Sequence, residues 1–228
     1  MPTLRAVVFD LDDTLYPERD FAFSGFNAVA AAFEAHLGER GKVAAEMRHL
    51  FDTEHRRRVF DVVLERRGIG QSGALIGPMI ETYRSHRPSI VLAPDAEALL
   101  TRLRPRCRLG LISDGPAVMQ QAKVEALGLT DRLDQIILTD ELGPGFGKPD
   151  PRAFERMMRR LAVESRGCAY VADNAAKDFV APNALGWTTV QIRRGGGIYL
   201  DQPPMPSGVP GRVITTLDDF EQALADES

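Results

Sequence analysis

Four short clusters in this sequence have residue types and spacing suited to handling an anion. The first is Asp10-Leu11-Asp12-Asp13-Thr14, directly after the apolar run Ala6-Val7-Val8-Phe9. Successive side chains of an extended chain alternate faces, so Asp10 and Asp12 are expected to point the same way. Two close carboxylates require a cation or a shared proton, and a hard, oxygen-seeking ion such as Mg²⁺ is the natural partner. The second cluster, Ser113-Asp114-Gly115, follows the run Leu109 to Ile112 and precedes a helical stretch. A hydroxyl, backbone amides and a helix N-terminus there can together hold phosphate oxygens. In the third, Gly147-Lys148-Pro149-Asp150, the proline biases Lys148 towards an extended conformation from which its ammonium reaches an anion. The fourth puts Asp173 and Asn174 at the end of Tyr170-Val171-Ala172, with Asp178 about one helical turn later. Taken singly, each cluster also fits a capped helix start, a solvated turn or a surface lysine. Their ordered recurrence at the ends of apolar runs is what carries information.

The elements that must position them alternate. Apolar runs at Ala6 to Phe9, Leu109 to Ile112, Ile136 to Leu138, Ala169 to Ala172, Thr189 to Ile192 and Val213 to Ile214 are separated by helical segments. This pattern predicts an α/β fold, a doubly wound, Rossmann-like parallel sheet with right-handed crossovers. Ligands bind such sheets outside the carboxyl ends of the strands, where the clusters fall. Pro116 and Pro151 fit first helical positions, and Gly128 and Gly186 fit helix ends. About a hundred residues separate the first two strands, far more than one crossover requires, so a helical insert is expected over residues 16–90. Its stripes are Phe26, Ala30, Phe33, Leu37, then Val43, Met47, Leu50, Phe51, then Leu75, Met79, Ile80, Tyr83, with Pro88 and Pro94 returning the chain to the main domain. The core domain is then 1–15 with 91–228.

In this order the clusters resemble the four motifs of the haloacid dehalogenase-like hydrolase superfamily: Asp10-Leu11-Asp12-Asp13-Thr14-Leu15, Leu111-Ile112-Ser113-Asp114-Gly115, Lys148-Pro149-Asp150, and Asp173-Asn174 with Asp178. The resemblance implies a phosphatase whose Asp10 attacks phosphorus and whose Asp12 exchanges a proton with the leaving group. It further implies that Ser113, the Asp114-Gly115 turn and Lys148 bind the phosphoryl group. Mg²⁺ would be held by Asp10, Asp173, the backbone carbonyl of Asp12, and Asp178 directly or through a neighbour. The insert resembles the family's helical cap of the first type, which closes over the site and selects substrates. Dehalogenases of the superfamily generally lack the second aspartate, because a halide leaves without a proton, so Asp12 favours phosphate chemistry. The expected substrate is a small phosphomonoester of the sugar phosphate or nucleotide class. A phosphotransferase or phosphosugar mutase would use the same aspartyl phosphate, and a receiver-type phosphorylation switch combines similar residues in a shorter, uncapped domain.

Composition agrees with an ordinary globular chain of 228 residues, and a formal charge of -4 provides no general field for nucleic acid or anionic lipid. No apolar run is long enough to cross a bilayer and no leader pattern precedes Ala6, so a cytoplasmic protein acting on a small phosphorylated metabolite is expected. Cys107 and Cys168 suit core-edge packing better than a metal pair or a disulfide. The four histidines, His36, His49, His55 and His86, lack ligand spacing and fit surface or packing roles. Arg56-Arg57-Arg58 fits a solvated face, and Arg193 and Arg194 fit rim salt bridges near a strand end.

Overall fold

A computed structural model describes residues 4–53, 55–69 and 73–225. It divides into two compact units, one running to Glu18 and resuming at Val91, the other Arg19–Ile90.

The first unit is built on six strands: β1 (Ala6–Phe9), β2 (Arg108–Ser113), β3 (Gln135–Leu138), β4 (Cys168–Ala172), β5 (Thr188–Ile192) and β6 (Arg212–Ile214). They form one sheet in the order β3-β2-β1-β4-β5-β6, and every pairing is parallel. The fold is therefore the doubly wound α/β class expected from the alternating pattern. β1 and β4 are buried at every position, which explains why they read as continuous apolar runs without alternation. Order reverses on the two sides of β1, and Phe9 sits level with both Leu111 and Val171. The carboxyl ends of β1, β2 and β4 thus open side by side at the switch point.

Helices α6 (Pro94–Leu103), α7 (Ala117–Ala126), α8 (Arg152–Leu161), α9 (Val180–Ala184) and α10 (Phe220–Ala225) flank this sheet. α8 buries Ala153, Phe154, Met157 and Leu161, a helical stripe that meets Val8, Ile112 and Tyr170 in the core. The Phe154 ring packs edge-on against Tyr170 at 4.9 Å and Trp187 at 5.6 Å. Gly128 and Gly186 stand just beyond α7 and α9 with φ of 62° and 76°, so they end these helices in the left-handed conformation expected of glycine. Pro116 and Pro151 fall one position earlier than expected, flanking α7 and α8 as their N-caps rather than as first helical residues. Pro94 does not close the insert but occupies the first turn of α6.

The second unit is helical: α1 (Glu18–Ala32, entering from the first unit), α2 (Glu34–Leu37), α3 (Arg40–Asp52), α4 (Val59–Arg66) and α5 (Gly73–Ser85). The first expected stripe is broken, because α1 ends before Phe33 and Leu37 belongs to α2. The second stripe is buried throughout, whereas of the third only Met79 is fully buried. α4 carries no stripe among those identified from sequence, yet it buries Val59, Val62, Val63 and Leu64. An aromatic group of Phe26, Phe51, Phe60 and Tyr83 joins α1, α3, α4 and α5, with centroids 5.7–6.1 Å apart.

Candidate active site

β1 ends at Phe9, so strand alternation does not extend to Asp12. A tight turn takes over: Leu15 N–H donates to the Leu11 carbonyl, and Asp13 adopts φ 50°. The Asp13 carboxylate fixes this turn by accepting from the backbone N–H of Glu18 (2.9 Å) and of Ile198 (2.7 Å). Asp10 and Asp12 both line one cavity, but their carboxylates have different partners. Lys148 Nζ lies 2.5 Å from Asp10 Oδ1 and 2.7 Å from Asp178 Oδ1, and it donates to Tyr170 Oη at 3.0 Å. Asp12 accepts from Lys123 Nζ at 2.7 and 2.9 Å, from Gln120 Nε2 at 3.1 Å and from the Tyr16 hydroxyl.

The other clusters come to the same edge. Ser113 is the last residue of β2 and is buried; its Oγ accepts from Gln120 Nε2 at 2.6 Å. Gly115 turns the chain into α7 with φ 127°, a backbone state that only glycine adopts without strain. Asp114 accepts from Thr139 Oγ1 (2.9 Å), Lys148 N (3.2 Å) and Lys177 Nζ (3.0 Å), so its carboxylate binds the loops together. Lys148 is not at a strand end. It follows β3 through a 3-10 turn, Thr139–Leu142, and a loop. Asp173 lies immediately beyond β4, and Asp178 accepts from Asn174 N at 3.0 Å.

Ligand oxygens of Asp10, Asp173 and Asp178 all lie within 4.8 Å of one another and all three residues are buried. Burial pushes the Asp10 carboxyl up to about 6, against the pull of Lys148 and with the charge of Asp178 adding to the rise. Burial, then Asp10 and Asp178, hold Asp173 well above the usual carboxylate range. Although burial alone would raise them, Asp12 is held below that range chiefly by Lys123, and Asp114 by Lys148 and Lys177. Burial would lower Lys148, yet Asp10 and Asp178 hold its ammonium well above the ordinary value. Three dehydrated carboxylates that repel one another form an all-oxygen donor set, which fits a compact divalent cation such as Mg²⁺. The Asp12 carboxylate is not among them.

The cavity, about 130 Å³, is lined by the acidic residues Asp10, Asp12, Glu18, Asp114 and Asp173 and by Lys123 and Lys177, among others. Glu18, Gln120, Lys123, Tyr170, Lys177 and Tyr199 were not identified from sequence. Glu18 is half-buried, and burial together with Asp12 pushes its carboxyl up to about 8. Arg194 makes the salt bridge expected of it, to Asp95 at 2.8 Å, and also donates to the Thr14 carbonyl at 3.1 and 3.0 Å, bracing the turn behind the site. Arg193 donates to the Leu200 carbonyl. Of the histidines, His86 is buried in the second unit against Ser24 Oγ (3.1 Å) and the Tyr83 carbonyl (2.7 Å), a packing role. A larger groove of about 820 Å³ includes Arg5, Arg104, Arg106 and Arg108, at the opposite ends of β1 and β2, and among the described residues Asp134 is the sole carboxylate lining it. Among the described residues, no helix is long and apolar enough to cross a membrane.

Comparison with known proteins places this geometry. A family model for haloacid dehalogenase-like hydrolases matches residues 4–186. The glyceraldehyde 3-phosphate phosphatase of Methanopyrus kandleri is 32% identical over 210 residues, covering 88% of each chain. The N-acylneuraminate-9-phosphatase of Mus musculus is 28% identical over 228 residues, 92% of this chain and 91% of its own. The HAD hydrolase YfnB of Bacillus subtilis, solved with magnesium bound, superposes with a TM-score of 0.69 at 18% identity over 97% of this chain and 98% of its own. With the family model spanning most of its length and a relative this similar over nearly all of it, the chain belongs to the haloacid dehalogenase-like hydrolases.

Proposed function

We propose that this phosphoric monoester hydrolase works through an aspartyl phosphate on Asp10 and is Mg²⁺-dependent. One observation carries the reading: Asp10 sits between a buried lysine and two further buried carboxylates at the switch point of the sheet. A carboxylate oxygen of Asp10 attacks phosphorus, forming an acyl phosphate as the bond to the ester oxygen breaks. Asp12 gives a proton to the departing alkoxide, then takes one from the water that attacks the acyl phosphate and frees Asp10. Lys123 keeps Asp12 ionised at rest. The negative charge of the arriving phosphoryl group raises its affinity for a proton, which the carboxylate takes up from solvent or from the monoanionic phosphoryl group and then delivers to the ester oxygen. Lys148 holds Asp10 in place and offsets charge on the phosphoryl oxygens, while Ser113 donates to one of them. Asp10, Asp173 and Asp178, with the backbone carbonyl of Asp12, would hold Mg²⁺, which when bound supplies further positive charge against the transferring group.

The substrate is a small phosphomonoester. Both relatives above are named for phosphorylated carbohydrates, which puts sugar phosphates ahead of nucleotides. Residues 16–90 act as the cap that selects among them, and the protein works in the cytoplasm.

The test is phosphate release from a sugar phosphate panel before and after chelation, with rapid-quench trapping of labelled phosphoenzyme in the parent and in Asp10→Asn. Release should vanish with chelator and return with Mg²⁺, and label should be absent from Asp10→Asn. Full turnover without metal, or label retained in folded Asp10→Asn, overturns the reading.

A further inference from the structure

Two polar side chains on α7 sit where its periodicity calls for core residues. Gln120, Lys123, Val124 and Leu127 follow the i, i+3, i+4, i+7 pattern of a buried face, and all four are buried. A lysine on that face loses its hydration, so something must compensate for the charge. Here it is Asp12, gripped by Nζ at 2.7 and 2.9 Å. The pair is asymmetric, since the Lys123 side chain is 2% exposed and that of Asp12 20%. Lys123 is thus the more deeply buried partner, and the Asp12 carboxylate that it grips keeps some exposure of its own at the cavity.

Gln120, one turn earlier, ties the same carboxylate to the phosphate-binding turn. Its Nε2 reaches Asp12 Oδ2 (3.1 Å), Ser113 Oγ (2.6 Å) and the Asp114 carbonyl (2.8 Å). Two of those three are acceptors only, which fixes the amide with nitrogen towards them. Ser113 Oγ then accepts from Gln120, and its own hydrogen remains to be donated.

We propose that Lys123 and Gln120 form a positioning clamp that sets Asp12 at a fixed distance and orientation from the phosphoryl-binding Ser113. The clamp rests on the reading of Asp12 as acid and base. Its consequence is that proton transfer and phosphoryl binding share one rigid support, a single turn of α7, and that Lys123 affects the phosphorylation step through Asp12.

A double-mutant cycle of Lys123→Met and Asp12→Asn tests this, read as single-turnover phosphoenzyme formation from an alkyl phosphate and from an aryl phosphate with a good leaving group, alongside thermal melts. Lys123→Met should slow phosphorylation by the alkyl ester at least tenfold more than by the aryl ester. In the Asp12→Asn background the same change should cost less than twofold, because no acid remains to be positioned. Equal losses for the two esters from Lys123→Met, or the same loss in both backgrounds, would mean a merely structural lysine. If Asp12→Asn itself slows both esters equally, the acid role of Asp12 falls and the clamp with it; if Asp12→Asn discriminates and Lys123→Met does not, only the clamp falls. Should Lys123→Met not fold, Lys123→Arg carries the test, since it keeps the charge but displaces Asp12. The same ester-dependent loss is then expected, and a fall in melting temperature without it overturns the clamp.

Discussion

Replacing Lys148 with methionine removes an ammonium that touches both Asp10 and Asp178, at 2.5 and 2.7 Å, from a side chain with 0% exposure. The methionine fills much the same volume, so the loss is electrostatic. Removing one partner of a buried pair costs roughly 3–5 kcal/mol. For a chain of this size that corresponds to about 6–20 °C in melting temperature. The sign with pH follows from Asp10, whose carboxyl is pushed up from 3.8 to about 6 by burial even with the lysine present. A raised carboxyl weakens the folded state above its unfolded value, fully so above the folded one, and the penalty is relieved as pH falls through that window. Without Lys148 the value rises further, so the Asp10 part of the Lys148→Met deficit should be largest above the variant's raised value and should disappear as pH falls to about 6, below which both proteins carry the same penalty. Saturating Mg²⁺ should restore part of it by supplying the missing charge. Melts of both proteins across that range, with chelator and with Mg²⁺, measure this directly. A deficit below about 1 kcal/mol in chelator, or one that grows as the pH falls, would refute the buried-charge account of the site.

Asp173→Asn should raise the melting temperature in chelator at neutral pH, by on the order of 1 kcal/mol of stability or more, while raising the Mg²⁺ concentration needed for half-maximal activity. A Mg²⁺ requirement equal to the parent's would remove Asp173 from the metal site. Asp95 is the opposite electrostatic case: burial would raise its carboxyl, but Arg194, Leu217 N–H and Thr216 hold it below the usual range. That stability is present above the unfolded value near 4 and disappears as pH falls through the lower folded value. Asp95→Asn should therefore cost about 1–2 kcal/mol at neutral pH and much less in acid, as melts at the two extremes would report. Gly110→Ala puts a methyl 2.8 Å from Met157 Sδ and 3.3 Å from Val8 Cγ2, so urea unfolding should show a loss of about 1–3 kcal/mol with turnover per folded molecule unchanged.

β1 and β4 were legible because parallel strands buried on both faces must be apolar throughout, and the edge strand β6, whose Val213 is exposed, was legible from its apolar pair Val213 and Ile214 alone. Asp10, Ser113, Lys148 and Asp173 were legible as candidates because they stand at strand ends and in loops, where polar residues stand out against apolar runs. Gln120 and Lys123 escaped for the converse reason. They lie within a helix, where polar residues are ordinarily read as solvated, and the signal that was present was their register with Val124 and Leu127. Tyr170 was hidden as a strand aromatic, and its contact with Lys148 depends on the loop after β3 folding back by a route that local sequence does not specify. Tyr199 comes from the irregular segment beyond β5, which has no periodicity to read. In the second unit, α4 is short, and its valines favour strands as readily as helices, so composition alone did not reveal it.

The buried charges fall into two groups, and the division follows from how each carboxylate is paired with lysine. Asp12 has Lys123 and Asp114 has Lys177, and both are held below the usual range. Asp10 shares Lys148 with Asp178, and no ammonium or guanidinium among the described residues is paired with Asp173. Asp10 and Asp173 are both pushed upward, as Glu18 is, and unlike Glu18 they are members of the triad that brings its oxygens within 4.8 Å. Environments that drive neighbouring acids in opposite directions separate their roles. The under-compensated group is suited to a cation and to covalent attack, and in the proposed mechanism the compensated Asp12, turned towards Lys123 instead of the triad, is the one that moves protons.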